Sequence, residues 1–142
     1  MKIALGSDHA GFQYKTNTNS FLLKEGIEVI DFGTNSTESV DYPDFAKKAA
    51  QAVVDGLVDY AIIICGSGIG VSITANKIKG VRAANCLTEE MAELAREHNN
   101  ANVLTLGERL IDWETAKKII KKFLNTPAST NLRHQARINK IE

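Results

Sequence analysis

One short segment of this sequence joins a thiol to a run of alternating glycines. The apolar residues 61–64 precede the segment, which consists of Cys65, Gly66, Ser67, Gly68, Ile69 and Gly70. A cysteine between a strand and a helix N-terminus is a candidate nucleophile or general base, and the amides of a glycine turn can hold an anion or oxyanion. The segment therefore predicts a reaction centre, although a cysteine at a strand end is more often an unreactive core residue.

Two polar pairs are further candidates for binding or proton transfer. Asp8 and His9 follow the first predicted strand, at the same edge of the sheet as Cys65, although Asp8 suits a helix cap equally well. His98 and Asn99 instead fall in a helix-to-strand turn, which lies at the opposite edge. His98 can therefore reach the chemistry of Cys65 only if another subunit supplies it.

Two arginines near the end of the sequence could bind an anion. Arg133 and Arg137 are spaced i, i+4, so they share one face of a predicted helix. Paired guanidinium groups grip phosphate through charge-assisted hydrogen bonds, whereas a solvated basic helix end is the commoner explanation. No group of His, Cys, Asp and Glu residues has the spacing of zinc ligands, so we expect no metal and no cofactor.

Alternating strands and helices must position these residues. Apolar runs predict strands at 2–6, 28–32, 60–64, 81–86 and 102–106. Helices are predicted at 12–24, from 45 to about 54, after 70, and at 89–97, 112–124 and 133–141. This alternation predicts βαβ units and a parallel sheet, hence the α/β class, within a single domain that covers 1–142.

Composition and charge limit the kinds of partner. The 17 Lys and Arg residues balance 17 Asp and Glu residues, so no overall field attracts nucleic acid or an anionic membrane. No apolar run approaches the roughly 20 residues of a membrane span. The two cysteines form no disulfide framework, which is typical of the reducing cytoplasm.

Taken together, seven segments resemble one known family. They are GSDHAG at 6–11, DYPD at 41–44, CGSGIG at 65–70, ANK at 75–77, GVRA at 80–83, HNNAN at 98–102 and RHQAR at 133–137. In this order, along essentially the whole chain, they resemble the type B ribose-5-phosphate isomerases. That family also includes allose-6-phosphate isomerases and the subunits of galactose-6-phosphate isomerase. The resemblance implies a Rossmann-like α/β/α sandwich with a central five-stranded parallel sheet.

The resemblance also implies a role for each candidate residue. Cys65 corresponds to the base that removes the C2 proton of an open-chain aldose, and His98 to the group that opens the sugar ring. Ser67 and the amides of Gly66 to Gly70 correspond to the cradle for the enediolate oxygen. The substrate-binding residues that it implies are Asp8 and Asn99 for hydroxyls, Tyr42 for the pocket wall, and His9, Arg109, Arg133 and Arg137 for the phosphate.

The resemblance further implies a homodimer or a dimer of dimers whose active sites are shared between subunits. We expect the segment 126–142 to pack on the partner, which would bring His98 and the arginines to Cys65. The leading hypothesis is interconversion of D-ribose 5-phosphate and D-ribulose 5-phosphate. Alternatives are an isomerase of allose 6-phosphate or galactose 6-phosphate, a non-catalytic sugar-phosphate sensor and a thiol hydrolase. The chain departs from the family at Ser67, where threonine is usual, and at Asn131-Leu132, where glycines are common.

Overall fold

The computed structural model describes residues 1–142, which form five strands and six helices. The strands are β1 (Lys2–Ser7), β2 (Glu28–Asp31), β3 (Tyr60–Cys65), β4 (Ala83–Asn85) and β5 (Val103–Gly107). The helices are α1 (Phe12–Lys24), α2 (Tyr42–Val54), α3 (Ile69–Asn76), α4 (Glu89–Asn99), α5 (Trp113–Asn125) and α6 (Leu132–Ile138). The predicted α/β class is confirmed.

The five strands form one parallel sheet with the order β2-β1-β3-β5-β4. Parallel neighbours need long crossovers, and a helix supplies each of them. From β1 the chain moves outward to β2, whereas from β3 it moves toward the other edge of the sheet. The gap between the carboxyl ends of β1 and β3 is therefore a topological switch point, the usual place for a ligand in such sheets.

Helices cover both faces of the sheet. One apolar core joins the sheet to α1, α4 and α5, and a second joins it to α2 and α3. Because side chains alternate along a strand, Ile62 and Ile64 of β3 enter the first core, and Ile63 and Cys65 enter the second. This alternation turns the Cys65 side chain toward α3. Cys86, the second cysteine, lies in the first core and is 1% exposed.

Most helix boundaries differ from the predicted ones by a few residues, and two of these differences involve predicted site residues. Helix α2 begins at Tyr42, three positions before the predicted start, and Pro43 lies in its first turn, where the missing N–H of proline removes no hydrogen bond. Helix α4 continues to Asn99, so His98 lies in its last turn rather than beyond it. Asn100 ends the helix with a left-handed backbone at φ 46°.

The C-terminal helix packs against its own chain. Rings of His134 in α6 and His98 in α4 are stacked with centroids 4.3 Å apart, and the Ser129 N–H donates to the carbonyl of Glu97. Leu132 remains 78% exposed at the start of α6. None of the six helices combines the length and apolar character needed to cross a bilayer.

Candidate active site

A cleft opens at the switch point, where the carboxyl ends of β1, β3 and β5 meet. Its volume is about 690 Å³. The lining residues are Asp8, His9, Ala10, Tyr42, Cys65, Gly66, Ser67, Ile69, Gly70, Ile73, Arg109 and Leu110. All of them except Ala10, Ile73 and Leu110 belong to the set predicted from the sequence. Ile73 lies one helical turn after Ile69 and Leu110 follows Arg109, so helical spacing and adjacency were the available signals for these two.

The sulfur of Cys65 lies at the N-terminus of α3 and accepts one hydrogen bond. The Gly68 N–H donates to Cys65 Sγ at 3.1 Å, a contact that stabilises negative charge on sulfur, as the positive end of a helix does. Gly68 can present this N–H because its φ of +78° is a left-handed conformation that glycine adopts without strain. Cys65 is 5% exposed but lines the cleft. No histidine side chain bonds to it, so the structure does not favour the Cys–His pair of a thiol hydrolase.

The glycine turn offers several hydrogen-bond donors to the cleft. Ser67 Oγ accepts the Ile69 N–H at 3.1 Å, which leaves the hydroxyl proton free to donate outward. The N–H groups of Gly66, Ser67 and Gly70 donate to no atom of the chain. The N–H groups of Gly68 and Ile69 already donate to side chains. Within the turn, therefore, only the N–H groups of Gly66, Ser67 and Gly70 are available to a bound oxyanion.

Asp8 and His9 are fixed by backbone groups around them. Asp8 Oδ1 accepts the N–H groups of Ala10 and Gly11, both at 3.0 Å, so this carboxylate caps the entry to α1 while it lines the cleft. His9 Nδ1 accepts the Val40 N–H at 3.2 Å. Because Nδ1 acts as an acceptor, the proton of the neutral imidazole lies on Nε2, where it can donate to a ligand.

The β5–α5 loop brings a cation to the cleft and ties it to β3. The Arg109 N–H donates to the Gly66 carbonyl at 3.0 Å, and the Glu108 N–H donates to the Cys65 carbonyl at 2.9 Å. Arg109 Nη1 lies so near Gly66 that a Cβ there would be 3.2 Å from it. The guanidinium therefore lies against Gly66, the residue after Cys65, and lines the same cleft, where it can attract an anionic substrate.

Glu108 holds this loop against α1. Its Oε1 accepts the Tyr14 N–H at 2.7 Å and so caps the first turn of α1 from a distant part of the chain. Burial raises the pKa of the Glu108 carboxyl, the Tyr14 hydrogen bond opposes that rise, and the charge of Asp8 adds to it. Asp8 and Glu108 are thus two carboxyl groups in one neighbourhood with different tasks.

The other predicted site residues lie at the opposite edge of the sheet. Helix α4 starts beyond the carboxyl end of β4 and ends before β5 begins, so His98 and Asn99 lie where the strands start. His98 borders a cavity with His134, and Asn99 borders a second cavity with Arg82. Within one chain neither residue lines the Cys65 cleft, as the sequence argument predicts.

The two C-terminal arginines share the His98 side of the molecule. Arg133 and Arg137 are exposed on α6, the helix that packs against α4. Partial desolvation and the neighbouring groups His98, Arg133 and Arg137 lower the pKa of His134, and Glu97 opposes this shift. Two arginines and two histidines therefore lie together on this surface, beside one carboxylate.

These observations define what the Cys65 cleft can do chemically. It holds a thiol that can act as a base, a hydroxyl donor, free backbone amides and an arginine within one open cavity. Such a set suits proton abstraction next to a carbonyl, because the developing oxyanion meets fixed donors and the arginine binds a remote anionic group.

Comparison with known proteins gives a consistent result. Residues 3–141 match the family described as Ribose/Galactose Isomerase. Over 140 residues the chain is 46% identical to ribose-5-phosphate isomerase B of Escherichia coli strain K12, covering 99% of this chain and 93% of that protein. The ribose-5-phosphate isomerase B structure from Clostridium thermocellum superimposes with a TM-score of 0.98 at 50% identity, covering 99% of this chain and 95% of that one. The Thermotoga maritima structure gives a TM-score of 0.96 at 53% identity, covering 99% and 96%. The chain is a member of the ribose/galactose isomerase family.

Proposed function

We propose that this protein is an aldose–ketose isomerase that interconverts D-ribose 5-phosphate and D-ribulose 5-phosphate. The observation that carries the proposal is the Cys65 thiol at the switch point, with the Gly68 N–H on its sulfur and the Ser67 hydroxyl beside it. Relatives that match almost the full chain are named for this substrate. The alternative hexose phosphates and the sensor have no comparable support.

The proposed reaction moves one proton between neighbouring carbons. The Cys65 thiolate takes the proton from C2 of the open-chain aldose, and the C–H electron pair becomes the C1–C2 double bond. The former carbonyl oxygen at C1 takes the negative charge, which the Ser67 hydroxyl and the free N–H groups of Gly66, Ser67 and Gly70 stabilise. The O2 proton then passes to O1, which becomes the C1 hydroxyl, and the negative charge moves to O2. The thiol returns its proton to C1, where the C1–C2 π pair forms the new C–H bond, and the O2 electron pair forms the C2 carbonyl.

Binding is assigned to residues around the same cleft. We assign the phosphate to the His9 Nε2–H and the Arg109 guanidinium, and one sugar hydroxyl to the Asp8 carboxylate. Tyr42, which is 39% exposed, forms part of the wall. A phosphate held away from C2 orients the reacting carbons, which lowers the entropic part of the barrier.

We further propose that two copies of the chain complete each site. His98, for ring opening, and Asn99, for a hydroxyl, would come from the partner subunit, as would the phosphate ligands Arg133 and Arg137. Exposed apolar side chains on both surfaces support such a contact between subunits. Ile69 and Ile73 of α3 are 53% and 57% exposed at the cleft, and Leu132 is exposed on α6. A two-fold axis would use each surface twice, in a dimer or a dimer of dimers. We also propose the cytoplasm as its compartment, because both cysteines are free thiols.

The test is turnover by the purified protein on ribose 5-phosphate and allose 6-phosphate in parallel, with a chelator present. The proposal predicts a higher kcat/KM for the pentose and a loss of about 1,000-fold or more in Cys65→Ala. Cys86→Ala is the matched control, since the Cys86 thiol is buried away from the cleft. Preference for the hexose would overturn the substrate, and an active Cys65→Ala variant would overturn the mechanism.

A further inference from the structure

We propose that Asn85, which does not line the cleft, is a positioning residue that aims the Gly68 N–H at the Cys65 sulfur. Asn85 ends β4 and its side chain is half-buried behind the glycine turn. Its Nδ2 donates to the Ser67 carbonyl at 3.4 Å, and its Oδ1 accepts from Thr105 Oγ1 at 3.2 Å. Thr105 is fully buried, and its hydroxyl anchors the Asn85 amide by donating to Oδ1 while Nδ2 donates to the Ser67 carbonyl.

One peptide unit links the Asn85 amide to the Cys65 sulfur. The Ser67 carbonyl and the Gly68 N–H belong to the same planar, trans peptide group, in which the two point in opposite directions. The carbonyl is bound by Asn85 on one side, and the N–H donates to Cys65 Sγ at 3.1 Å on the other. A donor that fixes the carbonyl therefore also fixes the direction of the N–H.

This peptide needs such support because it precedes a glycine with φ of +78°. Glycine adopts left-handed and right-handed conformations almost equally, so the unit could rotate and turn its carbonyl toward the sulfur. A carbonyl there would repel the thiolate that proton abstraction requires. Gly107 of β5 adds a second restraint: a Cβ there would be 2.8 Å from Ser67 Cα, so the turn lies directly on the strand.

Asn85 carries no charge, unlike several polar side chains that line the cleft together with Cys65. Those groups are Asp8 and His9 from the β1–α1 loop, Tyr42 from α2 and Arg109 from the β5–α5 loop, and all of them carry or can acquire charge. Asn85 and Thr105 are neutral at every working pH. Loss of Asn85 should therefore move the pH dependence of Cys65 without adding or removing a titrating group.

The experiment compares Asn85→Leu with the wild type by two measurements. Leucine has similar size and no donor, so we expect kcat to fall about tenfold with little change in KM, as for loss of an indirect oxyanion-type contact. We also expect the pH at which iodoacetamide labels Cys65 at half its maximal rate to rise, by up to about one unit for a tenfold effect. Thr105→Val should also lower kcat and raise this labelling pH, each by less than Asn85→Leu does. In the double variant, Thr105→Val should add little to the effects of Asn85→Leu.

Thr88→Ala is the matched control. Thr88 caps α4 immediately after β4, and its Oγ1 accepts the Met91 N–H at 3.1 Å without contact with the turn. It should lower the melting temperature while leaving kcat and the labelling profile at their wild-type values. If Asn85→Leu leaves both readouts equal to those of Thr88→Ala, the proposal is wrong. If Asn85→Leu does not fold, an unchanged labelling profile in Thr105→Val overturns it.

The rate measurement rests on the proposed function, whereas the labelling measurement does not. Wild-type protein without turnover, together with a shifted labelling profile in Asn85→Leu, would reject the isomerase and keep Asn85 as the positioning residue. Wild-type turnover together with an unshifted labelling profile in Asn85→Leu would keep the isomerase and reject Asn85 as the positioning residue.

Discussion

Replacing Gly68 with alanine should both strain the backbone and displace the N–H that donates to Cys65 Sγ, and a control variant can separate these two effects. Gly68 has a φ of +78°, and a Cβ there would be 2.8 Å from the Leu106 carbonyl carbon and 3.0 Å from Asn85 Cγ. The left-handed conformation costs a side-chain-bearing residue about 1–2 kcal/mol. Overlap with two packed neighbours adds about 1–3 kcal/mol, so we expect Gly68→Ala to lose about 2–5 kcal/mol of the free energy of unfolding.

Gly26→Ala supplies the control within the same chain. Gly26 has a nearly equal φ of +76°, but nothing lies within 4 Å of the place where its Cβ would be. The control should therefore lose only the strain, about 1–2 kcal/mol, which corresponds to a fall of about 3–6 °C in Tm for a chain of this length. Its kcat should stay at the wild-type value, because Gly26 follows α1 far from the cleft.

Activity gives the second half of this prediction. The overlap at Gly68 must displace the peptide whose N–H reaches Cys65 Sγ, and loss of such a donor costs about 100-fold in kcat. The assays are urea unfolding and initial-rate kinetics on ribose 5-phosphate at a temperature where both variants are folded. A Gly68→Ala variant whose kcat lies within threefold of that of Gly26→Ala would refute the reasoning.

Three further predictions concern stability and thiol reactivity. Arg96 is 4% exposed and donates to four groups, including the Ala101 carbonyl and the Tyr60 hydroxyl. Arg96→Met should therefore lower the free energy of unfolding by about 3 kcal/mol. Lys122→Met, at an exposed ion pair, is the control and should change it by less than about 1 kcal/mol. Burial raises the pKa of Glu108, so the native state holds this proton more tightly than the unfolded chain does. Wild-type stability should therefore fall as pH rises from about 4.5 through the pKa of Glu108 in the folded state. Over that range, urea unfolding should show that Glu108→Gln gains stability relative to the wild type. Burial raises the pKa of the Cys86 thiol to about 11, so brief iodoacetamide treatment near pH 8 should label Cys65 alone in peptide mass spectra, and sugar phosphate should slow that labelling.

Each of these predictions has an outcome that would contradict it. Equal stabilities of the Arg96→Met and Lys122→Met variants would mean that the buried guanidinium contributes no more than a surface pair. A difference between wild type and Glu108→Gln that does not vary with pH would show that the carboxyl has the same affinity for its proton in both states. Labelling of Cys86 as fast as Cys65 would reject the assignment of Cys65 as the more reactive thiol.

The sequence predicts most of the fold because local signals and tertiary packing agree. The run at 60–64 is apolar on both faces, and it becomes the central strand β3 with helices on either side. The helix starts were less predictable. Helix α2 begins at Tyr42 because Pro43 suits its first turn, although no apolar periodicity appears until Phe45.

The cleft was predictable to the extent that its residues follow strands. Asp8 follows β1 and Cys65 ends β3, and the parallel pairing of these two strands brings the residues together. Asn85 could not be predicted to support the turn, because its role depends on the direction of one peptide group and on the buried hydroxyl of Thr105. Sequence also places His98 at the far edge of the sheet, but it does not contain the geometry of a second subunit.

The central claim is that Cys65 of one subunit works with His98 of another, and mixed dimers test it directly. Cys65→Ala and His98→Ala chains with different tags are co-expressed, and dimers that carry both tags are isolated. Such a dimer has one intact site of two, so we predict about half of wild-type turnover, although each parent is nearly inactive. Dimers of wild type with a chain that carries both substitutions should be nearly inactive, since each site then lacks one group. The reverse pattern, an inactive first dimer and a half-active second, would place both residues in a site within one chain and contradict the account.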